Sequence, residues 1–241
     1  MNDLRKGYGA TTATTGARAI DEGLRQYMLG VYNYMALGVA GTGLVSLFVA
    51  SQQSLVYAIG GTPLKWVVFA ALLGLGWFAP RVMFNGSKAM AHGMYWLYAG
   101  LWGLLIAPML FSFNQAGAAQ DIYRAFFITA GLFAGVSLYG YTTKRDLSGM
   151  DGFFVMASIG LLIAIVVNVF IGSTLFSLLT SCAVVLVFSG ITAWETQTIK
   201  SMYVDGGAAN DRAAIFGAFA LYGSFVTLFI HILNILGIMR D

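Results

Sequence analysis

The chain has 241 residues, 59% of them hydrophobic and 10% charged, with a mean hydropathy of +0.77. A soluble domain carries about 25% charged residues, so this composition excludes one and describes a polytopic membrane protein. The net charge of +3 over thirteen Lys and Arg is no more than membrane topology asks for and gives no case for nucleic-acid binding, and the single cysteine, Cys182, excludes an intrachain disulfide.

Residues 1–26 are polar, with Thr11, Thr12, Thr14 and Thr15 among glycines and alanines, and they carry Arg5, Lys6, Arg18 and Arg25. They lack the basic start and immediate apolar core of a cleavable signal peptide. They read as a retained, cytosolic, partly disordered tail ahead of a membrane domain at 27–241.

A crossing helix needs about 20 apolar residues. Met28 to Ala50 supplies the first. The second lies between Lys65 and Arg81, but the fifteen uncharged residues between them are too few at ~1.5 Å each. Val82, Met83 and Phe84 beyond Arg81 are apolar, so the helix is expected to continue and hold Arg81 just inside the bilayer. The third runs from about Ala89 to Phe113 with Pro108 near its far end, and the fourth from Ile122 to about Tyr141.

Between Gly152 and Trp194 there are forty-three residues without a charge, too many for one span. Gly172-Ser173 is the natural break, giving a fifth crossing and a sixth that ends at Glu195. Ala213 to Met239 supplies the seventh. With the tail inside, one side collects ten basic residues, Arg5, Lys6, Arg18, Arg25, Arg81, Lys88, Lys144, Arg145, Lys200 and Arg212, and the other collects three, Lys65, Arg124 and Arg240. The positive-inside rule then puts the N-terminus in the cytosol and the C-terminus outside. Small-xxx-small pairs such as Gly131 and Gly135 allow close helix approach; they read as packing within the chain, with self-association as the other reading.

The residue that stands out is Glu195, in the stretch Val185 to Lys200, VLVFSGITAWETQTIK. An ionisable group at membrane depth is costly and by default functional. Arg81 closes the second crossing on the same side and is the candidate counter-ion; a glutamate in contact with headgroups and water is the alternative. Burial raises a carboxyl's pKa and a cation lowers it, so Glu195 is a candidate proton sensor. His231 in the seventh crossing, His92 in the third and Asn234 in the seventh are secondary candidates, with interhelical hydrogen bonding as their simpler role.

Enzyme signatures are absent: no His-Glu-x-x-His segment, no G-x-S-x-G elbow and no Cys/His cluster with metal spacing. Ser224 and His231 lie two turns apart on one helix, ~10 Å, too far to pair. No catalytic residue, metal site or cofactor is expected.

Three segments, SLYGYTTKRDLSGM at 137–150, VLVFSGITAWETQTIK at 185–200 and GAFALYGSFVTLFIHILNILG at 217–237, together resemble the bacterial branch of the Bax inhibitor-1 family. The resemblance implies an all-α fold of seven transmembrane helices, six packed around a central C-terminal one. It also implies a pH-sensitive calcium leak, with carboxylates on the sixth and seventh helices that share a proton or engage a basic residue of the second. Glu195 stands where the family usually has aspartate, and Arg81 is the candidate for the basic residue. Where the family commonly reads Leu-Tyr-Leu-Asp-Phe, this chain reads Leu221-Tyr222-Gly223-Ser224-Phe225. Ser224 thus replaces the second carboxylate, and a hydroxyl has no charge change near neutral pH, so a Glu195–Ser224 hydrogen bond with Arg81 as counter-ion would leave either a single-site gate or a permanently set one.

The resemblance leaves two functions open. One is a calcium or other cation leak controlled around Glu195. The other is a non-conducting regulator in the bacterial inner membrane that binds a membrane-anchored AAA protease through the tail and lateral helix contacts.

Overall fold

The computed structural model describes the backbone of residues 3–207 and 210–240 and the side chains of 22–207 and 210–240. The helices are α1 (Asp3–Ala50), α2 (Gln53–Gly60), α3 (Leu64–Asn85), α4 (Lys88–Gln115), α5 (Ala119–Thr142), α6 (Asp151–Ile171), α7 (Thr174–Ser201) and α8 (Asn210–Arg240). Seven of them, all but α2, contain a stretch long and apolar enough to cross a membrane, and the described residues contain no strand. The protein is an integral, multi-pass, all-helical membrane protein.

α8 occupies the centre. It is apolar on all sides, as a helix enclosed by others must be, and 61% of its most apolar window is buried, against 6–28% for the other six spans. It packs against α1, α3, α4, α5 and α7. Small residues on its first turns, Ala213, Gly217 and Ala218, are buried and let neighbours approach; a Cβ at Gly217 would meet Ile199 of α7. α6 sits outside this ring and packs on α7. Its one buried side chain, Phe154, lies over Gly190 and against Trp194, 6.1 Å between ring centroids.

The break expected at Gly172-Ser173 is a true helix junction. Gly172 adopts φ 68°, a left-handed cap that glycine takes without a Cβ penalty. Ser173 then caps α7 by accepting the Phe176 amide. As expected, the second crossing continues past Arg81, to Asn85.

Four details differ from the sequence reading. α1 starts at Asp3, so the stretch read as a loose tail is helical from that residue; side chains before Glu22 lie outside the described residues. No proline interrupts residues 3–50, which leaves the backbone free to continue as helix. α7 does not end at Glu195 but runs on to Ser201, which sets Glu195 about 9 Å inside its end at ~1.5 Å per residue. α2 is an additional short helix whose Gly60 rests on Pro108 of α4.

Finally, Gly131 and Gly135 do not mediate packing within the chain: a Cβ at either would meet nothing within 4 Å. The close α5–α7 crossing is at Gly140, where a Cβ would run into the carbonyl oxygen of Ala193. Backbone cannot give way as a flexible side chain can, so Gly140→Ala is expected to cost about 1–3 kcal/mol by overpacking. Gly135→Ala should be neutral or slightly stabilising, as a helical glycine gains roughly 0.5–1 kcal/mol on becoming alanine. Thermal unfolding of both variants in one detergent checks the contrast; equal melting points would refute the crossing.

Candidate functional site

Glu195, Thr196 and Gln197 are consecutive on α7, and a helix turns about 100° per residue, so their side chains leave in three directions. Each finds a different partner. Glu195, half-buried, accepts a hydrogen bond at 2.7 Å from the Ser224 hydroxyl of α8. Ser224 is buried and stands one residue from 225, the midpoint of α8 (210–240). The contact therefore lies at mid-length of the central helix, not at its end.

Thr196 points to α5. Its hydroxyl donates to the Thr192 carbonyl at 2.8 Å and lies 2.8 Å from the Ser137 hydroxyl, which is 2.6 Å from the Tyr32 hydroxyl of α1. A hydroxyl has one proton to donate. Because Thr196 uses its own on Thr192, Ser137 must donate to Thr196 and Tyr32 to Ser137. The chain Tyr32 to Ser137 to Thr196 to the Thr192 carbonyl thus has a single direction and joins α1, α5 and α7.

Gln197 points to the loop between α5 and α6. Its Oε1 accepts from the Leu147 amide at 2.8 Å and its Nε2 donates to the Arg145 carbonyl at 2.8 Å. One side chain holds both backbone edges of the Lys144-Arg145-Asp146 turn. Nearby, Lys200 donates to the Tyr141 carbonyl at 2.9 Å and lies over the Tyr141 ring at 4.7 Å. Asp146 accepts the Ser148 amide at 2.9 Å, and that bond holds its exposed carboxyl below the ordinary value.

The structure does not bring Arg81 to Glu195. Arg81 is exposed on α3, and among the described residues no ion pair involves Glu195. The reason is the register of α3: its buried face near this end carries Ala79 and Met83, and Arg81 between them falls on the other side. Arg212 of α8 donates to the carbonyls of Phe84, in the last turn of α3, and of Gly86, just after it, at 3.1 and 3.3 Å.

The secondary candidates form two separate groups. His92 of α4 pairs with the Tyr34 hydroxyl of α1. His231 is 3.0 Å from the Ser181 hydroxyl of α7, and Asn234 donates to Ser177 and Ser181 at 3.0 and 2.9 Å. Each joins two helices. Among the described residues no group of three or more His, Cys, Asp and Glu could hold a metal.

The residues sequence reasoning missed are Ser137, Tyr32 and the bonding role of Gln197. The pattern Glu-Thr-Gln signalled polarity; the partners come from helices and loops far away in the chain.

A family model described as "Inhibitor of apoptosis-promoting Bax1" matches residues 24–241. An uncharacterized protein of Rickettsia prowazekii is 38% identical over 232 residues, 95% of this chain and 97% of its own length. The inner membrane protein YbhL of Escherichia coli K12 is 32% identical over 223 residues, 90% of this chain and 94% of its own length.

Two measurements test the site. Reversible unfolding in mixed micelles of Glu195→Gln, Ser224→Ala and the double variant should show a coupling of about 1.5–3 kcal/mol, the range for a hydrogen bond to a charged group; additivity within about 0.5 kcal/mol would mean that the two side chains do not act together. For Asp146, a folded value below the unfolded one stabilises at neutral pH, and that contribution is lost as pH falls below about 4. Asp146→Asn should therefore lower the neutral plateau of a stability–pH curve and leave its acid end in place, so that the curve falls less on acidification.

Proposed function

The chain belongs to the Bax inhibitor-1 family, and on that premise we propose that it is a cation leak pathway, with calcium as the ion moved and protonation of Glu195 as its control. The Ser224–Glu195 hydrogen bond carries this reading, because it ties the central helix to the helix bearing the one carboxylate of the site. Where the family pattern has a second carboxylate, Ser224 supplies a neutral donor. The gate is then a single proton site, and Arg81 plays no counter-ion part in it.

Calcium takes six to eight oxygens when held. One carboxylate and one hydroxyl fall far short of that, which suits an ion passed along rather than a resident one. Protonated Glu195 has a hydrogen to donate and no charge; ionised Glu195 accepts only. The α7–α8 contact thus differs between the two states, and a difference in contacts is what a switch requires. No catalytic step enters this reading. The membrane is taken to be the bacterial inner membrane, where YbhL resides, with the N-terminus in the cytosol by the charge count above.

A second reading is a non-conducting regulator that binds a membrane-anchored AAA protease. The observation that favours it is the length of α1, 48 residues from Asp3 to Ala50. That is about 72 Å at ~1.5 Å per residue, more than twice a hydrocarbon core of roughly 30 Å and enough to reach a partner outside it. Deleting residues 1–20 should abolish such regulation and leave ion flux intact.

Calcium flux into proteoliposomes between about pH 6 and 8 checks the main reading. The native chain should conduct in a pH-dependent way, and Glu195→Gln should conduct without that dependence. Absence of flux in the native chain, with flux in Ser224→Asp, would overturn it in favour of the regulator.

A further inference from the structure

α1 and α5 flank α8 on either side and meet through the Tyr32–Ser137 bond. Toward their other ends they part. Between them lies a cleft of about 260 Å³, floored by α8 and α4 and open toward the surface that the bilayer covers. Its walls are Gly43 and Leu47 of α1, Ile106 of α4, Tyr123 and Phe126 of α5, and Phe229 of α8. A Cβ at Gly43 would meet nothing within 4 Å, so the space is real at the depth of that residue.

Water is a poor occupant. The cleft's wall hydroxyls of Thr42 and Ser46 are already committed: Thr42 donates to the Ala99 carbonyl at 3.0 Å and accepts from Tyr222 at 2.5 Å, and Ser46 donates to the Gly103 carbonyl at 3.1 Å. A buried water needs two to four polar partners, and beyond these two the one polar side chain on the walls is Tyr123. Left empty, the lining would forfeit its dispersion contacts on one side. The size also selects: it is below the ~300–1,000 Å³ of pockets that enclose a drug-sized ligand, which leaves room for a slender apolar chain and none for a headgroup.

We propose that this cleft is a lipid site, in which one acyl chain of a bilayer phospholipid enters sideways between α1 and α5 and packs on α8. The chain comes from the surrounding bilayer, and the headgroup stays outside. Phe225, which also floors the cleft, directly follows Ser224, so the site adjoins the turn of α8 that holds Glu195.

The full chain reconstituted in phosphatidylethanolamine–phosphatidylglycerol vesicles, doped with a phospholipid bearing a diazirine midway along one acyl chain, tests this after irradiation and peptide mapping. Adducts should concentrate at Leu47, Tyr123 and Phe126 over Trp77 and Phe170, which are 81% and 85% exposed and do not line this cleft. Gly43→Phe should abolish the excess and leave labelling at Trp77 unchanged; if that variant does not elute as a single species, Val39→Trp replaces it with the same expectation. Labelling that simply follows exposure would overturn the proposal. So would an excess that both filling variants leave in place, or one that gives way to chain–chain adducts as protein density rises, which would assign the cleft to a second copy of this chain.

Discussion

The burial of α8 is the constraint from which the rest of the bundle follows. A helix enclosed by neighbours must offer each of them an apolar or small surface, and any polar group it carries must be answered by another helix, because the bilayer interior answers none. α8 carries Ser224, His231 and Asn234 on its buried length, and each is met by a side chain of α7: Glu195, Ser181, and Ser177 together with Ser181. Tyr222 is met by Thr42 of α1. The polar residues of the centre are thus the specificity of the packing, fixing which face of α8 looks at which neighbour, while the apolar ones supply the contact area.

Much of the fold was legible in the sequence because lipid removes alternatives. Uncharged runs of membrane length can only be helices, and a forty-three-residue run must break, which Gly172 does in the left-handed conformation open to it. Where lengths were ambiguous the reading failed for a definite reason. A charged residue marks where a side chain wants to be, not where a helix stops, so α7 carries Glu195 well inside its end. α2, at eight residues, is too short to register as a crossing, and the helical continuation of α1 lies in a segment whose composition is polar without being helix-breaking.

The site was legible in part. Glu195 and Ser224 were identified from position and from the departure at 221–225, and the structure brings them together. Arg81, expected beside them, is not there, since depth along a helix can be read from sequence while rotation about its axis depends on packing; Ala79 and Met83 turn inward and leave Arg81 outside. Ser137 and Tyr32 gave no signal, because a serine in a transmembrane helix looks the same whether it bonds its own backbone or another helix. Gly131 and Gly135 show the converse, a motif spacing without an occupant.

Glu195, Thr196 and Gln197 hang from one uninterrupted helix, and that has a mechanical consequence. Their three contacts go to the central helix, to the α1–α5 hydroxyl chain and to the Lys144-Arg145-Asp146 turn, so none can be released by a rigid rotation of α7 without displacing the other two. An event at Glu195 is thereby geared to the charged loop that Gln197 holds, two residues further along the same helix. The turn at 144–146 acts as a pointer on a shaft, and its position reports, on the aqueous face, the angle at which α7 stands inside the membrane.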